Sequence, residues 1–322
     1  METAQPATTI STAISDTGLN PTRLDRAAFL LNFPFSYATD APNNAWMEEM
    51  DPRERTPDKR KAMRQFLEVY HFLAGEALVY LLPGPASCGL QDLVFTANLG
   101  IVLDHLPDRN TVVISNFSSP PRVKETDLGV EFFRSLGYRA VIAPHKFEGE
   151  AELKHLHDNV YVGGHGIRSE IETYRWMEKQ FDMKVVTLEE SDPYLYHLDC
   201  TVFPVTRENT LVCTEFYTGE ELGELEKETN IIDVSADEAY AGICNSVRLG
   251  NTILSSSHIH DLAAGTEEYK EEIVKNRKLE DVAARLGFEL TFFNLSEFHK
   301  SGALLSCMVL HLNRHSYDFT LL

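Results

Sequence analysis

Five polar residues recur along this chain at nearly even spacing, and each follows an amphipathic helix and a short apolar strand. They are Asn98, Glu148, His197, Asn245 and Cys307, separated by 50, 49, 48 and 62 residues. A period of about 50 residues is typical of repeated structural units that pack against one another. A closed ring of five such units would bring all five polar residues to one centre.

Each repeat predicts the order strand, strand, helix, strand. Apolar residues at helical spacing, with capping residues at the ends, predict helices at 56–75, 127–135, 169–181, 219–227 and 267–286. Short apolar runs predict strands after them at 77–82, 140–143, 184–188, 231–234 and 289–293. Paired strands are predicted at 93–95 with 111–114 and at 201–203 with 211–213, and a closing strand region at 304–312.

This alternation predicts an α/β fold in which helices cover the sheets from outside, and five similar units favour radial closure over an open sheet. Closed α/β folds hold about 250 residues or more in one domain. We therefore expect a single domain over residues 23–322. Residues 1–22 are rich in Ser, Thr and Ala and are predicted to form a flexible tail.

The net charge of −20, from 49 acidic and 29 basic residues, argues against nucleic acid as a partner, because phosphate backbones are bound by basic surfaces. An acidic field favours the approach of a small cation, although solubility alone also explains such a charge. No apolar run reaches the ~20 residues of a membrane-spanning helix, so no membrane is expected. The five cysteines are odd in number and irregularly spaced, which predicts free thiols and a reducing, cytoplasmic location.

Cys307 together with His197 is the strongest candidate for chemistry. A cysteine between apolar residues is usually a small buried hydrophobic side chain, but Cys307 lies in phase with the other polar residues and follows the small residues 301–303. His197 can exchange a proton near neutral pH, as thiolate attack and departure of an amine require. Asp199 lies two residues on, so in an extended segment it would face the same side and favour the imidazolium.

Glu148 and Asp199 together predict a cation in the pocket. Two convergent carboxylates accept the forked hydrogen bonds of a guanidinium and hold its charge while a thiolate approaches the central carbon. The alternative is a pair of solvated acids in a chain that has 49 of them, and the repeat register argues against it. Asn98 and Asn245 would supply neutral hydrogen bonds.

The segments that carry this chemistry resemble those of a known superfamily. They are 92–98 (DLVFTAN), 147–149 (FEG), 164–170 (GHGIRSE), 196–199 (YHLD) and 306–308 (SCM). In this order and spacing they are similar to the pentein, or guanidine-modifying, superfamily, above all to arginine dihydrolases and dimethylarginine dimethylaminohydrolase-like proteins. The resemblance extends from about residue 44 to residue 313.

The resemblance implies a five-bladed α/β propeller with the active site in its central channel. It implies that Cys307 is the covalent nucleophile, that His197 acts as general acid and then as base, and that Glu148 and Asp199 anchor the guanidinium. The implied catalytic residues are therefore Cys307, His197 and Glu148.

The resemblance also implies that Arg168 binds the substrate carboxylate, because arginine pairs with a carboxylate through two hydrogen bonds. Arg122 is a second candidate for this task, with an ordinary surface arginine as the alternative. The predicted substrate-binding residues are Asp199, Asn98, Arg168, Asn245, Asn44, Glu152 and Arg122.

The implied reaction is hydrolysis of a guanidinium C–N bond through a cysteine adduct, without a cofactor. Resembling dihydrolases carry Asn where this chain has Asn98, whereas deiminases carry Asp, which favours conversion of free L-arginine to ornithine, ammonia and carbon dioxide. Dimethylargininase and arginine deiminase are the alternatives, and a pentein that binds guanidines without catalysis is the third. The chain departs from the family pattern at 150–152 (EAE), where small glycine-type residues and an Asp are expected, at 303–305 (ALL) and at Ala45.

Other motifs predict no further site. The pairs His155/His157 and His258/His260 have no cysteine or carboxylate at metal-ligand spacing, so no metal is expected. The glycines at 163, 164 and 166 lack the acidic residue of a dinucleotide fingerprint, so no nucleotide cofactor is expected. The sequence marks no subunit interface and leaves the oligomeric state open, with a homodimer as one alternative because dimers are frequent among soluble enzymes.

Overall fold

The computed structural model describes residues 20–84 and 87–318. Within these residues the chain forms five sheets of three strands each. The sheets contain β1 (Ala28–Leu31), β2 (Leu78–Leu81) and β15 (Leu310–His311); β3 (Gly100–Val102), β4 (Thr111–Ile114) and β5 (Arg139–Ile142); β6 (Leu153–His157), β7 (Val160–His165) and β8 (Lys184–Glu189); β9 (Val202–Pro204), β10 (Asn209–Val212) and β11 (Asn230–Asp233); and β12 (Val247–Leu249), β13 (Thr252–Ser256) and β14 (Glu289–Phe293).

A helix connects the central strand of each sheet to the neighbour that runs parallel to it. These connecting helices are α3 (Lys59–Glu76), α4 (Glu125–Ser135), α5 (Ile171–Phe181), α6 (Gly219–Leu225) and α8 (Glu267–Leu286). The shorter helices are α1 (Ala45–Glu49), α2 (Pro52–Arg55), α7 (Ala236–Tyr240) and α9 (Ser296–His299). The central strand pairs antiparallel with its other neighbour, so the predicted strand, strand, helix, strand unit is confirmed.

Local sequence explains where the connecting helices begin and end. Asp58 accepts the first free N–H groups of α3, and Thr218 with Glu221 forms a capping box at the start of α6. Gly287 ends α8 in the left-handed conformation at φ 79°, which glycine adopts without strain. The predicted helices and the strands that follow them are therefore confirmed to within a few residues.

One sheet is completed by both ends of the described chain. β15 pairs antiparallel with β1, where Phe29 lies opposite His311, and β1 pairs parallel with β2. Just before β1, Thr22 is fully buried and its hydroxyl bonds to the Tyr138 hydroxyl and the Leu312 carbonyl. The prediction of a flexible tail is therefore wrong for residues 20–22, and residues 1–19 lie outside the described residues.

Two apolar runs that were predicted as strands form turns over all or part of their length. Residues 93–95 are buried in a turn, and the antiparallel partner of β4 is β3, which follows the 3-10 helix Thr96–Leu99. In the region 304–312 the extended part is β15, which follows the 3-10 helix Ser306–Met308. A short buried apolar run has the same pattern in a strand and in a tight turn, so periodicity alone could not separate them.

Apolar clusters lie between the sheets and their covering helices. Phe133 of α4 packs in one cluster with Val112 and Ile114 of β4, and Leu279 of α8 packs in another with Ile253 of β13. Burial of such side chains stabilises the fold by roughly 1.5–3 kcal/mol each. The helices therefore cover the sheets, as the alternation predicted.

All five cysteines have free thiols, as predicted. Among the helices in the described part of the chain, none combines the length and apolar character needed to span a bilayer.

Substitution of Gly100 tests how tightly β3 packs against β4. A Cβ at this position would lie 2.6 Å from the Val113 carbonyl oxygen, a backbone atom of the paired strand β4. We expect Gly100→Ala to lower the free energy of unfolding by about 1–3 kcal/mol in urea denaturation, because the strands must separate to admit the methyl group. Gly75→Ala in α3 is the matched control, since a Cβ there has no neighbour within 4 Å. Equal stability of the two variants would contradict the close packing.

Candidate active site

The five polar residues of the sequence repeat occupy equivalent places, just before the outer strand of each sheet that pairs antiparallel with the central strand. This outer strand is called the first strand of its sheet. Asn98 and Cys307 lie within the 3-10 helices that precede β3 and β15. Glu148 and His197 come directly before short 3-10 helices ahead of β6 and β9, and Asn245 lies in the turn before β12. All ten predicted site residues are buried, with exposed fractions of 8% or less.

The Cys307 thiol is held between an acid and an amide. Its Sγ donates to Asp199 Oδ2 at 3.5 Å and accepts from Asn245 Nδ2 at 3.3 Å. Asn245 Oδ1 also accepts the Ser306 N–H at 2.9 Å, so this amide fixes the turn that carries the cysteine. His197 lines the same cavity as Cys307, but the hydrogen-bond partners of the thiol are Asp199 and Asn245.

The surroundings of Cys307 favour the neutral thiol. Burial, followed by the negative charge of Asp199, raises the pKa of Cys307 to about 12, although the hydrogen bond from Asn245 lowers it. The thiolate is the nucleophilic form of cysteine. A cation placed beside Asp199 would offset that negative charge and lower the pKa of the thiol.

His197 is held by a carboxylate and lies beside an amide. Its Nε2 lies 2.9 Å from Glu148 Oε2 and 3.3 Å from Asn98 Nδ2, and the Tyr196 ring packs beside the imidazole with centroids 4.7 Å apart. An ionised carboxylate can only accept hydrogen bonds, so Nε2 carries the proton and donates it to Glu148. His197 therefore has a proton at the nitrogen nearest to Asn98.

Glu148 is fully buried and carries a negative charge. Burial alone raises the pKa of a carboxyl group, but the hydrogen bond from His197 and the charge of Arg168 outweigh it and lower the pKa of Glu148 to about 2. Arg168 Nη1 donates to Glu148 Oε1 at 3.3 Å. One carboxylate thus holds both His197 and Arg168.

Asp199 does not accompany His197 in the way that the sequence predicted. The chain enters a 3-10 helix after His197 instead of remaining extended, and this turn directs Asp199 to Cys307 and to the Ser306 hydroxyl, which donates to Oδ2. The expectation that His197 and Asp199 face one side of an extended segment is therefore wrong. The carboxylate that contacts His197 is Glu148, which lies 49 residues earlier in the chain.

Arg168 and Asn44 line the cavity together. Arg168 Nη2 donates to the Asn43 carbonyl, and its guanidinium lies 4.9 Å from the centroid of the Tyr196 ring. Asn44 caps α1 and donates from Nδ2 to the Ser301 carbonyl at 2.9 Å and to the Tyr196 hydroxyl at 3.1 Å. Asn44 therefore ties the segment before α1 to the loop at Ser301.

Arg122 is buried, so the alternative of a surface arginine is wrong. Its Nη2 donates to Glu125 Oε2 at 2.7 Å and to the Phe95 carbonyl at 3.2 Å, and the guanidinium lies 4.6 Å from the Phe117 ring centroid. Burial raises the pKa of Glu125 to about 7, against the opposing charge of Arg122. Arg122 lines the cavity while it remains paired with Glu125.

Glu152 contacts the backbone of the reactive segment. Its Oε2 accepts the Leu198 N–H at 3.2 Å, between His197 and Asp199. Glu152 does not line the cavity and has an exposed fraction of 0%.

Two residues of the cluster were missed as functional candidates. Asp92 lines the cavity and accepts from Asn43 Nδ2 at 2.8 Å, and burial raises its pKa although the charge of Arg122 opposes the rise. Ser306 donates to Asp199 next to the thiol. Their positions within the segments 92–98 and 306–308 were the available signal, but neither residue type indicated a role by itself.

The cavity is small. Its volume is about 20 Å³, which is room for about one water molecule and not for an amino acid. The predicted residues that line it are Asn44, Asn98, Arg122, Arg168, His197 and Cys307, and those that do not are Glu148, Asp199, Asn245 and Glu152. Parts of its wall belong to the segments around Asn43 and Ser301, so entry of a larger molecule requires these segments to move.

A larger cavity lies elsewhere and contains none of the ten predicted residues. Its volume is about 810 Å³, and charged loop residues such as Arg109, Arg207 and Asp158 line it. Size alone therefore does not identify the candidate site, whereas the thiol, imidazole and carboxylates are gathered around the small cavity.

Comparison with known proteins reveals relatives over most of the chain. A family model described as "N,N dimethylarginine dimethylhydrolase, eukaryotic" matches residues 32–312. The bifunctional arginine dihydrolase/ornithine cyclodeaminase AgrE of Nostoc sp. is 26% identical over 302 residues, which cover 91% of this chain and 39% of AgrE. The chain thus spans about two fifths of that relative. The N(G),N(G)-dimethylarginine dimethylaminohydrolase of Mycobacterium tuberculosis is 26% identical over 284 residues, which cover 87% of this chain and 84% of that enzyme.

Solved structures of the N-terminal domain of ArgZ, an arginine dihydrolase from cyanobacteria, are similar to this fold. A Cys-to-Ser variant of that domain, bound to substrate, has a TM-score of 0.76 at 25% identity and covers 89% of this chain and 98% of its own. An Asn-to-Ser variant of the same domain is covalently bound to a reaction intermediate.

The influence of Asp199 on the thiol can be measured without any substrate. Asp199→Asn removes a negative charge 3.5 Å from Cys307 Sγ. We expect the pKa of Cys307 to fall by about one unit or more, which gives roughly tenfold faster alkylation by iodoacetamide at pH values below the pKa. Peptide mass spectrometry separates Cys307 from the other thiols, and the partly exposed Cys88 is an internal reference.

The control is Asp281→Asn, which removes an exposed carboxylate on α8. Its Cys307 alkylation profile should match that of the wild type. A profile of Asp199→Asn that also matched the wild type would contradict the assigned charge effect.

Proposed function

This chain belongs to the N,N-dimethylarginine dimethylhydrolase family, and from that premise we propose that it is a cysteine-dependent hydrolase of a guanidinium C–N bond. The proposed substrate is free L-arginine, which is converted to ornithine, ammonia and carbon dioxide. The observation that carries the proposal is the buried cluster of Cys307, His197, Glu148 and Asp199, in which a thiol and a proton donor border one cavity, backed by two carboxylates. The dihydrolase relatives AgrE and ArgZ support it.

We also propose that the five sheets close into a five-bladed α/β propeller around this cluster. Pairing of β15 with β1 joins the two ends of the described chain, and β15 contacts β3 while β6 contacts β9 in the neighbouring sheet. The equivalent placement of the five polar residues before the first strand of each sheet supports the same arrangement.

Substrate charge would activate the nucleophile in this proposal. The resting thiol is neutral because burial and Asp199 raise its pKa. A guanidinium that enters beside Asp199 and Glu148 offsets their charge, so Cys307 gives up its proton more readily. The imidazole of His197, which lines the same cavity, accepts this proton at its free nitrogen and becomes imidazolium while the thiolate attacks the central carbon. The acidic pocket therefore selects a cation and prepares the cysteine in one step.

Proton transfer by His197 completes the first C–N cleavage. The imidazolium donates a proton to the departing nitrogen and returns to the neutral imidazole, ammonia leaves, and an amidinium carbon remains bonded to Sγ of Cys307. Glu148 stabilises the charged form of His197 through its 2.9 Å contact. The imidazole then accepts a proton from the water that attacks the adduct.

The group that leaves next decides the product. Loss of the thiolate from the tetrahedral carbon gives citrulline, whereas loss of a second ammonia leaves a thiocarbamate that a further water cleaves to ornithine and carbon dioxide. Departure of ammonia needs a proton from His197. Because Asn98 is neutral, the imidazole faces one carboxylate, Glu148, at this nitrogen instead of two. Its proton is therefore easier to transfer to the leaving ammonia than it would be beside a second carboxylate.

Arg168 would bind the substrate carboxylate in this scheme. In the described structure its guanidinium is shared between Glu148 and the Asn43 carbonyl. Movement of the segment around Asn43, which the small cavity requires for substrate entry, would free the side of Arg168 that faces that carbonyl. A bidentate contact with a carboxylate suits the planar guanidinium.

Dimethylargininase activity is the second candidate. The description of the matching family and the Mycobacterium tuberculosis relative favour it. Arginine deiminase activity, or binding of a guanidine without catalysis, are the remaining alternatives. The cytoplasmic location and the homodimer stay predictions from sequence.

Product analysis tests the proposal directly. We expect the purified protein to form one ornithine and two ammonia from each arginine, and Cys307→Ser to reduce turnover by on the order of 10⁴-fold or more, because no other thiol borders the cavity. Mass-resolved products are measured with arginine and with asymmetric dimethylarginine. Citrulline from arginine would identify a deiminase, citrulline with dimethylamine a dimethylargininase, and protected binding without product a guanidine-binding protein.

Substitution of Asn98 tests what decides between citrulline and ornithine as the product. Asn98→Asp places a second carboxylate about 3.3 Å from His197 Nε2, and its negative charge holds the imidazole proton more strongly. We expect the ratio of citrulline to ornithine to rise. Asn230→Asp, on an exposed strand end, is the control and should leave the ratio unchanged. An unchanged ratio in Asn98→Asp would refute the assigned role.

A further inference from the structure

Two buried carboxyl groups lie behind the reactive cluster and have no part in the proposed reaction. Glu152 follows the 3-10 helix before β6, and Glu190 follows β8. Their exposed fractions are 0% and 6%, and the two carboxyl groups lie in hydrogen-bonding contact. Glu152 directly precedes β6 and Glu190 directly follows β8, the two outer strands of one sheet, and neither residue lines the cavity.

The hydrogen bonds around this pair are incomplete if both groups are ionised. Neither side-chain oxygen of Glu190, nor Oε1 of Glu152, receives a hydrogen bond from a donor in residues 20–84 and 87–318. Two carboxylates in contact can only accept, whereas a carboxylic acid beside a carboxylate donates its O–H. A single retained proton therefore satisfies the contact and removes one of two buried negative charges.

Glycines of the GGHG segment make room for Glu190. A Cβ on Gly164 would lie 2.7 Å from the carboxyl carbon of Glu190, and a Cβ on Gly166 would lie 2.6 Å from its backbone carbonyl oxygen. Gly166 also has a positive φ of 122°, which favours glycine. These glycines, which form no nucleotide-binding motif, thus permit a carboxyl group to lie against the backbone beside Glu152.

The pair is linked to the reactive residues through one backbone hydrogen bond. Glu152 Oε2 accepts the Leu198 N–H at 3.2 Å. Leu198 lies between His197, which contacts Glu148, and Asp199, which contacts Cys307. A shift of Glu152 would move this short segment, and both contacts would change together.

We propose that Glu152 and Glu190 share one proton and serve as positioning residues that hold the segment from His197 to Asp199 in its reactive geometry. The kinetic consequence rests on the proposed function, whereas the shared proton does not. With the proton in place, Glu190 donates to Glu152, and Glu152 is free to accept from Leu198. Without it, the two carboxylates repel each other and the contact to Leu198 weakens.

The pH dependence follows from the groups that face the pair. Burial raises the pKa of both carboxyl groups. Glu152 raises the pKa of Glu190 further, whereas the hydrogen bond from Glu190 lowers the pKa of Glu152. Glu148 and Asp199 add to the rise, whereas Arg168 and His197 oppose it. The weak acids that also face the pair have pKa values raised by burial and remain neutral; they are Tyr174, Tyr217 and Cys200.

The sign of the stability effect is therefore defined. The unfolded chain releases these protons near the ordinary carboxyl pKa, while the folded protein retains one to higher pH. Stability from the pair is complete at acidic pH and is lost as the pH rises through the folded pKa. The segment from His197 to Asp199 should loosen over the same range.

The experiment compares Glu190→Gln with Glu189→Gln, its exposed neighbour at the end of β8. Infrared spectroscopy at about pH 7, well above an ordinary carboxyl pKa, should detect a protonated carboxyl band in the wild type and in Glu189→Gln. Glu125 and Asp92, whose pKa values burial also raises, add to this band in all three proteins. The spectrum of the wild type minus that of Glu190→Gln should therefore contain the band of the pair, because the amide of Glu190→Gln donates to Glu152 without a titrating proton. Absence of a protonated carboxyl band from this difference spectrum would overturn the proposal.

Unfolding provides the second arm. Between about pH 5 and about pH 8, the urea midpoint of the wild type and of Glu189→Gln should fall relative to that of Glu190→Gln. Parallel pH profiles for all three proteins would contradict the shared proton. Neither arm requires turnover, so a wild type that shows the band of the pair but forms no product would refute the proposed function and leave the pair established.

Kinetics provide the third arm and test the positioning role. Glu190→Ala should lower kcat by about 10²-fold with little change in KM, whereas Glu190→Gln should remain within about threefold of the wild type and keep its activity to higher pH. Equal losses in Glu190→Ala and Glu190→Gln, with the band of the pair present in the wild type, would show that the pair stabilises the fold without positioning His197.

Discussion

The negative charge of Glu148 is buried completely, and the surrounding contacts compensate for it. An unpaired carboxylate in such a place costs several kcal/mol, so its partners are structural requirements as well as chemical ones. His197 donates to one oxygen and Arg168 to the other. Arg168 in turn holds the Asn43 carbonyl, so the same charge that orients the imidazole also fastens the segment that closes the cavity.

A second acid has the opposite effect on its neighbour. Asp199 lies 3.5 Å from the Cys307 thiol and raises its pKa, whereas Asn245 provides a neutral donor that limits the rise. The resting site thus contains a protonated nucleophile beside the negative charge of Asp199. Such a site is poorly reactive by itself and becomes reactive when a cation enters, which suits a hydrolase whose substrate carries a guanidinium.

The reactive residues lie in turns and not in strands. Asn98 and Cys307 lie in 3-10 helices, Glu148 and His197 come just before them, and each turn leads into the first strand of a sheet. The apolar residues 93–95 were predicted as a strand because they are buried, but they form a turn. Burial in a turn at the centre of the molecule and burial in a strand leave the same apolar run in the sequence.

The repeating units, their helices and the gathering of the five repeat residues around one site followed from the sequence, because helical period, capping residues and spacing are properties of short stretches of chain. The sequence did not indicate which carboxylate contacts His197. Asp199 is nearest in the sequence, yet Glu148 makes the contact, and Glu190 meets Glu152 although neither sequence position suggested a pair. These choices belong to the tertiary structure, because a single tight turn after His197 redirects the following side chains, and residues far apart in the chain meet only when the sheets have packed.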